Sequence, residues 1–166
     1  MKKRFVIGVS GASGSIYARE TCRALLTAGA QVHLVLSSVA RQVWNHELNC
    51  TVNEFIDSLS VQQRKNLILE NNNDLAATIA SGSFRHDGMI ITPCSMKCLA
   101  AVANGFAGTL IERAADVSLK ERFPLILLTR ETPLNLIHIE NMAQATRAGA
   151  IILPASPGFY HGDNTF

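Results

Sequence analysis

The residues in this chain with the types and spacing to do chemistry begin with Gly8-Val9-Ser10-Gly11-Ala12-Ser13-Gly14. Gly11 and Gly14 let the backbone come close to a ligand, and the hydroxyls of Ser10 and Ser13 can donate hydrogen bonds to it. The loop stands between the apolar run Arg4 to Ile7 and a helical pattern from Ile16 to Ala28. Free N–H groups and the positive end of a helix dipole therefore face it, and an anion, most often a phosphate, is the natural occupant. The spacing G-x-x-G-x-x-G is neither the dinucleotide fingerprint nor a triphosphate loop, since no G-K-[ST] follows. A tight glycine turn that binds nothing is the competing reading.

Two further groups repeat the theme. Pro93-Cys94-Ser95-Met96-Lys97 puts Ser95, Met96 and Lys97 at a helix start just beyond a strand, where open parallel sheets gather ligands. Arg130-Glu131-Thr132-Pro133 follows the most strand-like run, Pro124 to Thr129, and reads either as a site pair or as an exposed turn with an ion pair. Between them, Arg113 and Lys120 lie two turns apart on one side of a helix, a cationic stripe able to meet an anion. Asp116 and Lys120 are spaced as an ordinary i, i+4 pair. Glu47 stands on a helix where a lone glutamate is commonly just solvated. Cys94 and Cys98 could share a helix face, but no His or further Cys completes a metal site, so they read as core or pocket-wall thiols.

The elements that must position these groups follow from periodicity and caps. Strands are expected at 4–7, 31–36, 67–69, 88–92 (closed by Pro93), 124–129 and 150–153. Helices are expected at 16–28, 39–48 (capped by Ser37 or Ser38), 52–59, 75–80 (capped by Asp74), 96–103, 109–122 and 135–148. Alternation of strand and helix predicts right-handed parallel βαβ units. The second strand ends in Ser37-Ser38, where a nicotinamide site would carry an acid; serines suit a phosphate or a flavin edge better. After the strand ending at Leu153, residues 154–166 have no helical pattern, so that strand is left to a partner subunit or to a lost segment for its cover.

Composition bounds the rest. At 166 residues, with 48% hydrophobic and 17% charged, the chain is most simply one folded domain, 1–166. A net charge of +2 with no basic run interleaved with aromatics argues against nucleic acid. No membrane span or signal peptide is read in the sequence, and four cysteines without an export signal fit a reducing cytoplasm.

Taken together, five segments resemble the UbiX-type flavin prenyltransferases, within the homo-oligomeric FMN-binding flavoproteins. They are residues 8–14, residues 93–97, Ile111 to Arg122, Arg130 to Pro133, and Pro157-Gly158-Phe159-Tyr160-His161. They span the chain in the family's order. The resemblance implies a three-layer α/β/α, flavodoxin-like (Rossmann-type) open parallel sheet, with a C-terminal helix missing. It also implies a cytoplasmic, homo-oligomeric enzyme, a dodecamer by family likeness. The implied reaction moves a dimethylallyl group from dimethylallyl phosphate onto reduced FMN, without a metal. The product then serves a UbiD-type decarboxylase, in ubiquinone biosynthesis or aromatic acid decarboxylation. Carried over by position, Gly11, Ala12, Ser13, Ser37, Ser95, Met96, Lys97, Cys98 and Arg130 would hold FMN. Glu47, Arg113, Lys120 and Glu131 would be catalytic, and Tyr160 with Lys120 would meet the prenyl phosphate.

The chemistry implied suits these residue types. Breaking an allylic C–O bond frees a phosphate and develops positive charge on the allyl group, so cations must receive the one and an electron-rich face the other. Glu47 and Glu131 would manage protons. Two departures from the pattern stand out. Cys98 replaces the usual Thr, a weaker donor. An arginine that the family supplies from its C-terminal helix has no counterpart, at a cost of about 1.5–3 kcal/mol for one charge-assisted contact. Other expected outcomes are an FMN-binding module without transfer, or a flavin-dependent peptidyl-cysteine decarboxylase. The latter is disfavoured by Cys94-Ser95-Met96-Lys97, which lacks that group's Asn after proline.

Overall fold

Short runs of apolar, mostly β-branched or leucine residues form a wholly parallel sheet in a computed structural model that describes residues 2–156. The strands are β1 Arg4–Val9, β2 Gln31–Leu36, β3 Leu67–Asn71, β4 Gly88–Cys94, β5 Leu125–Thr129 and β6 Ile151–Pro154. Their spatial order is β3-β2-β1-β4-β5-β6. The chain runs outward from β1 through β2 to β3, then returns to place β4 on the other side of β1. The switch point between β1 and β4 opens a crevice at the carboxyl ends of the strands, the usual ligand position in such sheets.

Helices cover both faces. On one, α1 (Ser15–Thr27), α2 (Ser38–Leu48) and α3 (Val52–Ser58) bury Cys22, Leu26, Trp44 and Phe55 against Ile7, Val9, Leu34 and Leu36. On the other, α5 (Met96–Ala103), α6 (Leu110–Lys120) and α7 (Leu136–Ala148) bury Leu99, Leu110, Ile111 and Ala145 against Val6, Met89, Ile91, Leu125 and Leu127. The alternation gives the parallel βαβ units, and the architecture is the three-layer α/β/α, flavodoxin-like arrangement that the resemblance implied. Ser37, Ser95 and Thr109 cap α2, α5 and α6 through their hydroxyls. Gly149, at φ 110°, ends α7 in the left-handed conformation that glycine adopts without strain.

Four local expectations change. The helix expected over 75–80 is only a 3-10 turn at Thr78–Ala80, while Asp74 Oδ1 accepts from Ala76 N at 2.9 Å; the stretch is too short to repay helix nucleation. A brief α4 (Val61–Lys65) appears where none was expected, held by a capping box of Ser60 and Gln63. β4 runs through Pro93 to Cys94, because Pro93 lacks an N–H but keeps its carbonyl, which accepts from Ser10 N at 3.2 Å. The expected Asp116–Lys120 pair is replaced by Arg113 Nη1 to Asp116 Oδ2 at 2.7 Å and by Lys120 with Glu121. The i, i+3 spacing from Arg113 lets its longer side chain reach Asp116 first.

Candidate functional site

At the switch point lies a cleft of about 470 Å³. The loop after β1 gives it Ser10 and Gly11, the start of α2 gives Ser37, Ser38, Val39 and Arg41, and the start of α5 gives Ser95, Lys97 and Cys98. Asn71, Asn72 and Asn73, at and just after the end of β3, and Thr109, Ile111 and Glu112, at the start of α6, close the remaining wall.

Ser10 joins the two loops that frame the crevice. Its hydroxyl donates to Pro93 O at 3.0 Å and accepts from Ser95 N at 2.7 Å. Gly11 is needed because a Cβ there would lie 2.6 Å from Val39 Cγ1, so the loop packs directly on the first turn of α2. The anion expected at the start of α1 is one the chain supplies itself. The Glu47 carboxylate accepts from Gly14 N at 3.0 Å and from Ser15 N at 2.7 Å. Burial pushes its pKa up, but hydrogen bonds from the Ser13 hydroxyl and the Ser15 and Gly14 N–H groups outweigh that and hold it below the ordinary value. A ligand phosphate is therefore not what satisfies this helix start.

The other helix starts differ among themselves. At α6, Leu110 N donates to Asn72 O at 2.8 Å and Ile111 N to Asn72 Oδ1 at 3.1 Å, while Thr109 N and Glu112 N close a capping box. At α2, Ser37 N is held by Val9 O and Ala40 N by Ser37 Oγ. At α5, Ser95 N is held by Ser10 Oγ and Cys98 N by Ser95 Oγ. Among the described residues, the N–H groups of Ser38, Val39, Met96 and Lys97 find no acceptor. These donors, the Arg41 and Lys97 cations, and the apolar Leu36, Val39 and Ile111 fit a ligand with one anionic end and one flat apolar part. FMN has that character.

Of the residues singled out from sequence, Gly11, Ser37, Ser95, Lys97 and Cys98 meet in this cleft. Ala12 turns the loop through its N–H to Ser10 O at 2.9 Å, and Ser13 is engaged with Glu47. The Met96 side chain goes into the core, and Met96 is not among the residues that line the cleft. Cys94 is buried beneath; the neighbouring Cys98 thiol and burial push its pKa well up, so it stays a protonated thiol. The others lie outside the cleft lining. Arg130 follows β5, its N–H donating to Cys94 O at 3.4 Å just before Ser95, and Glu131 is exposed after it. Arg113 Nε donates to Ala80 O at 3.1 Å, and Lys120 stands seven residues on along the same face of α6, beside Gly82. Tyr160 falls outside the described residues. Sequence reasoning missed Arg41 and Asn72. Arg41 was findable, since it stands four residues after the Ser37 cap, but the reach of Asn72 to α6 leaves no local signal.

A family model described as Flavoprotein matches residues 1–163. The chain is 47% identical over 162 residues to the flavin prenyltransferase UbiX of Thauera aromatica, covering 98% of this chain and 80% of that protein. To the flavin prenyltransferase UbiX of Escherichia coli K12 it is 43% identical over 160 residues, covering 96% and 81%. Among solved structures, AnUbiX (PadA1) in complex with FMN and dimethylallyl pyrophosphate superposes with a TM-score of 0.91 at 41% identity, over 100% of this chain and 85% of that one. A dodecameric FMN-dependent UbiX-like decarboxylase from Escherichia coli O157:H7 gives 0.88 at 39% identity, over 98% and 84%. The FMN-dependent cysteine decarboxylase TvaF, at 17% identity and 0.67, shares the fold alone. The chain belongs to the flavoprotein family, among its UbiX-type flavin prenyltransferases.

Proposed function

We infer that this chain transfers a dimethylallyl group from dimethylallyl phosphate to reduced FMN, as one flavin-binding domain over 1–166. The observation that carries the reading is the 41% identical structure holding both FMN and dimethylallyl pyrophosphate, which superposes over the whole of this chain. The donor-lined cleft at the β1/β4 switch point supports it independently. Reduced FMN supplies the electron-rich ring that accepts the allyl group. Ser38, Val39, Met96 and Lys97 offer backbone N–H groups to its phosphate, with Gly11, Ala12 and Ser13 along one wall, and Ser95, Lys97 and Cys98 along the other. Arg130 approaches from the end of β5.

Arg113 and Lys120 receive the leaving phosphate and offset its charge, Tyr160 contacts it, and Glu47 and Glu131 hold and move protons at their carboxylates. Arg113 and Lys120 share one face of α6, Arg113 Nε on Ala80 O and Lys120 beside Gly82, whereas Glu47 holds the start of α1 and Glu131 is exposed beyond β5. A homo-oligomer, which the dodecameric relative supports, would let a second copy complete the set. The product would pass to a UbiD-type decarboxylase. No helix of the described residues is long and apolar enough to cross a membrane, and we place the enzyme in the cytoplasm. The test is anaerobic incubation with reduced FMN and dimethylallyl phosphate, followed by mass spectrometry of the flavin. The prenylated mass is expected. Its absence, at protein levels that suffice for the Thauera aromatica relative, would overturn the reading, and FMN uptake without product would leave a flavin-binding module.

A further inference from the structure

We propose that Arg41 is the side chain by which the cleft recognises the phosphate monoester of its flavin, so that it discriminates FMN from riboflavin; this rests on the flavin-binding reading above. The charged side chains on the cleft wall are Arg41, Lys97 and Glu112. Glu112 is engaged by Thr109 N at 3.0 Å and sits at the positive end of α6, which offsets its charge locally. Among the described residues, neither Arg41 nor Lys97 takes part in an ion pair. Two cations and the backbone N–H groups of Ser38, Val39 and Lys97 thus line one cavity whose one carboxylate among the described residues is already satisfied. That is an excess of donors and positive charge that an uncharged ligand would leave uncompensated.

The placement of Arg41 is set by α2. Its N–H donates to Ser37 O at 3.1 Å, so it stands one turn along from the cap, above the Ser38 and Val39 donors. From there a guanidinium presents a planar fork matched to two phosphate oxygens, which Lys97, a point charge from the facing α5, does not. The start of α6 cannot take this part, because Asn72 and the Thr109–Glu112 capping box satisfy its donors. The start of α1 cannot either, because Glu47 holds it. The phosphate is thereby assigned to the space between α2 and α5.

A phosphate monoester could come from FMN or from the prenyl donor, and the experiment separates them. FMN and riboflavin are titrated, without donor, into the protein and into Arg41→Gln and Arg41→Lys by flavin fluorescence, with thermal melts confirming that each variant is folded. The expected result is a loss of tenfold or more in FMN affinity for Arg41→Gln, riboflavin affinity unchanged within twofold, and partial recovery of FMN binding in Arg41→Lys. Equal losses for both flavins would overturn the proposal, as Arg41 would then shape the cleft without reading the phosphate. Unchanged FMN affinity with a raised KM for dimethylallyl phosphate would also overturn it and give the cation to the donor. If the unsubstituted protein binds neither flavin, the flavin-binding reading itself fails; if it binds both and Arg41→Gln binds both as well, only the role of Arg41 fails.

Discussion

Glu47 stands 33 residues beyond Gly14, yet its carboxylate takes up the N–H groups of Gly14 and Ser15. The first loop alone suggests a ligand anion at the start of α1 and a close approach of that ligand to its glycines; in the structure the anion there is the Glu47 carboxylate and the close approach at Gly11 is to Val39. That the anion is a side chain of α2, and that Gly11 is kept small by Val39, depends on contacts between distant segments that no local pattern records. Glu47→Ala is expected to cost about 1–2 kcal/mol, the worth of a helix cap to a charged acceptor, read from denaturant midpoints. Because the folded pKa of Glu47 is lowered below its ordinary 4.5, this contribution is full above that value and is lost as pH falls through the lowered one. The stability gap between the protein and Glu47→Ala should therefore narrow as pH falls below 4.5, and a gap that stays constant to well below that value would contradict the assignment. Gly11→Ala places a methyl 2.6 Å from Val39 Cγ1 and 2.9 Å from Val39 Cβ. It should weaken flavin binding and cost about 1–3 kcal/mol, with part of both restored by adding Val39→Ala.

The elements were legible wherever periodicity and a cap coincided. Ser95 opens its helix as expected, Ser37 rather than Ser38 caps α2, and Thr109, expected as the first helical residue, is instead the cap of α6. The run 75–80 has Asp74 ahead of it but too few residues to form a helix, and the Ser60-x-x-Gln63 box starts a helix of only five residues, too short for an apolar period to show. What local sequence could not give is how the element ends meet. Asn72 ties the end of β3 to the start of α6, and so fixes the turn that carries Glu112 and Arg113. Asn72→Ala removes the acceptor for Ile111 N and leaves a half-buried donor without a partner, a loss of about 1–2 kcal/mol. Hydrogen exchange at Ile111 and Glu112 should quicken while α2 and α5 stay protected; protection unchanged throughout α6 would show that the contact does not hold it.

At the scale of the whole molecule, apolar surface is left uncovered among the described residues. Ile151 and Leu153 of β6 are 55% and 45% exposed, and Leu136 and Ile137 of α7 are 67% and 66% exposed. An amphipathic helix in a parallel sheet protein ordinarily turns such residues inward, so outward leucine and isoleucine at its start indicate a surface made for protein contact. Burying each against a neighbour is worth about 1.5–3 kcal/mol, enough for a pair repeated across a symmetric contact to hold an assembly. A transfer site completed by a second copy depends on that contact. Leu136→Glu with Ile137→Glu should therefore reduce the mass found by light scattering and, in the same preparation, abolish prenyl transfer. Residual FMN binding should persist, because the walls from α2 and α5 belong to a single chain. Transfer that survived full dissociation would place the whole catalytic set within one copy and refute the shared site.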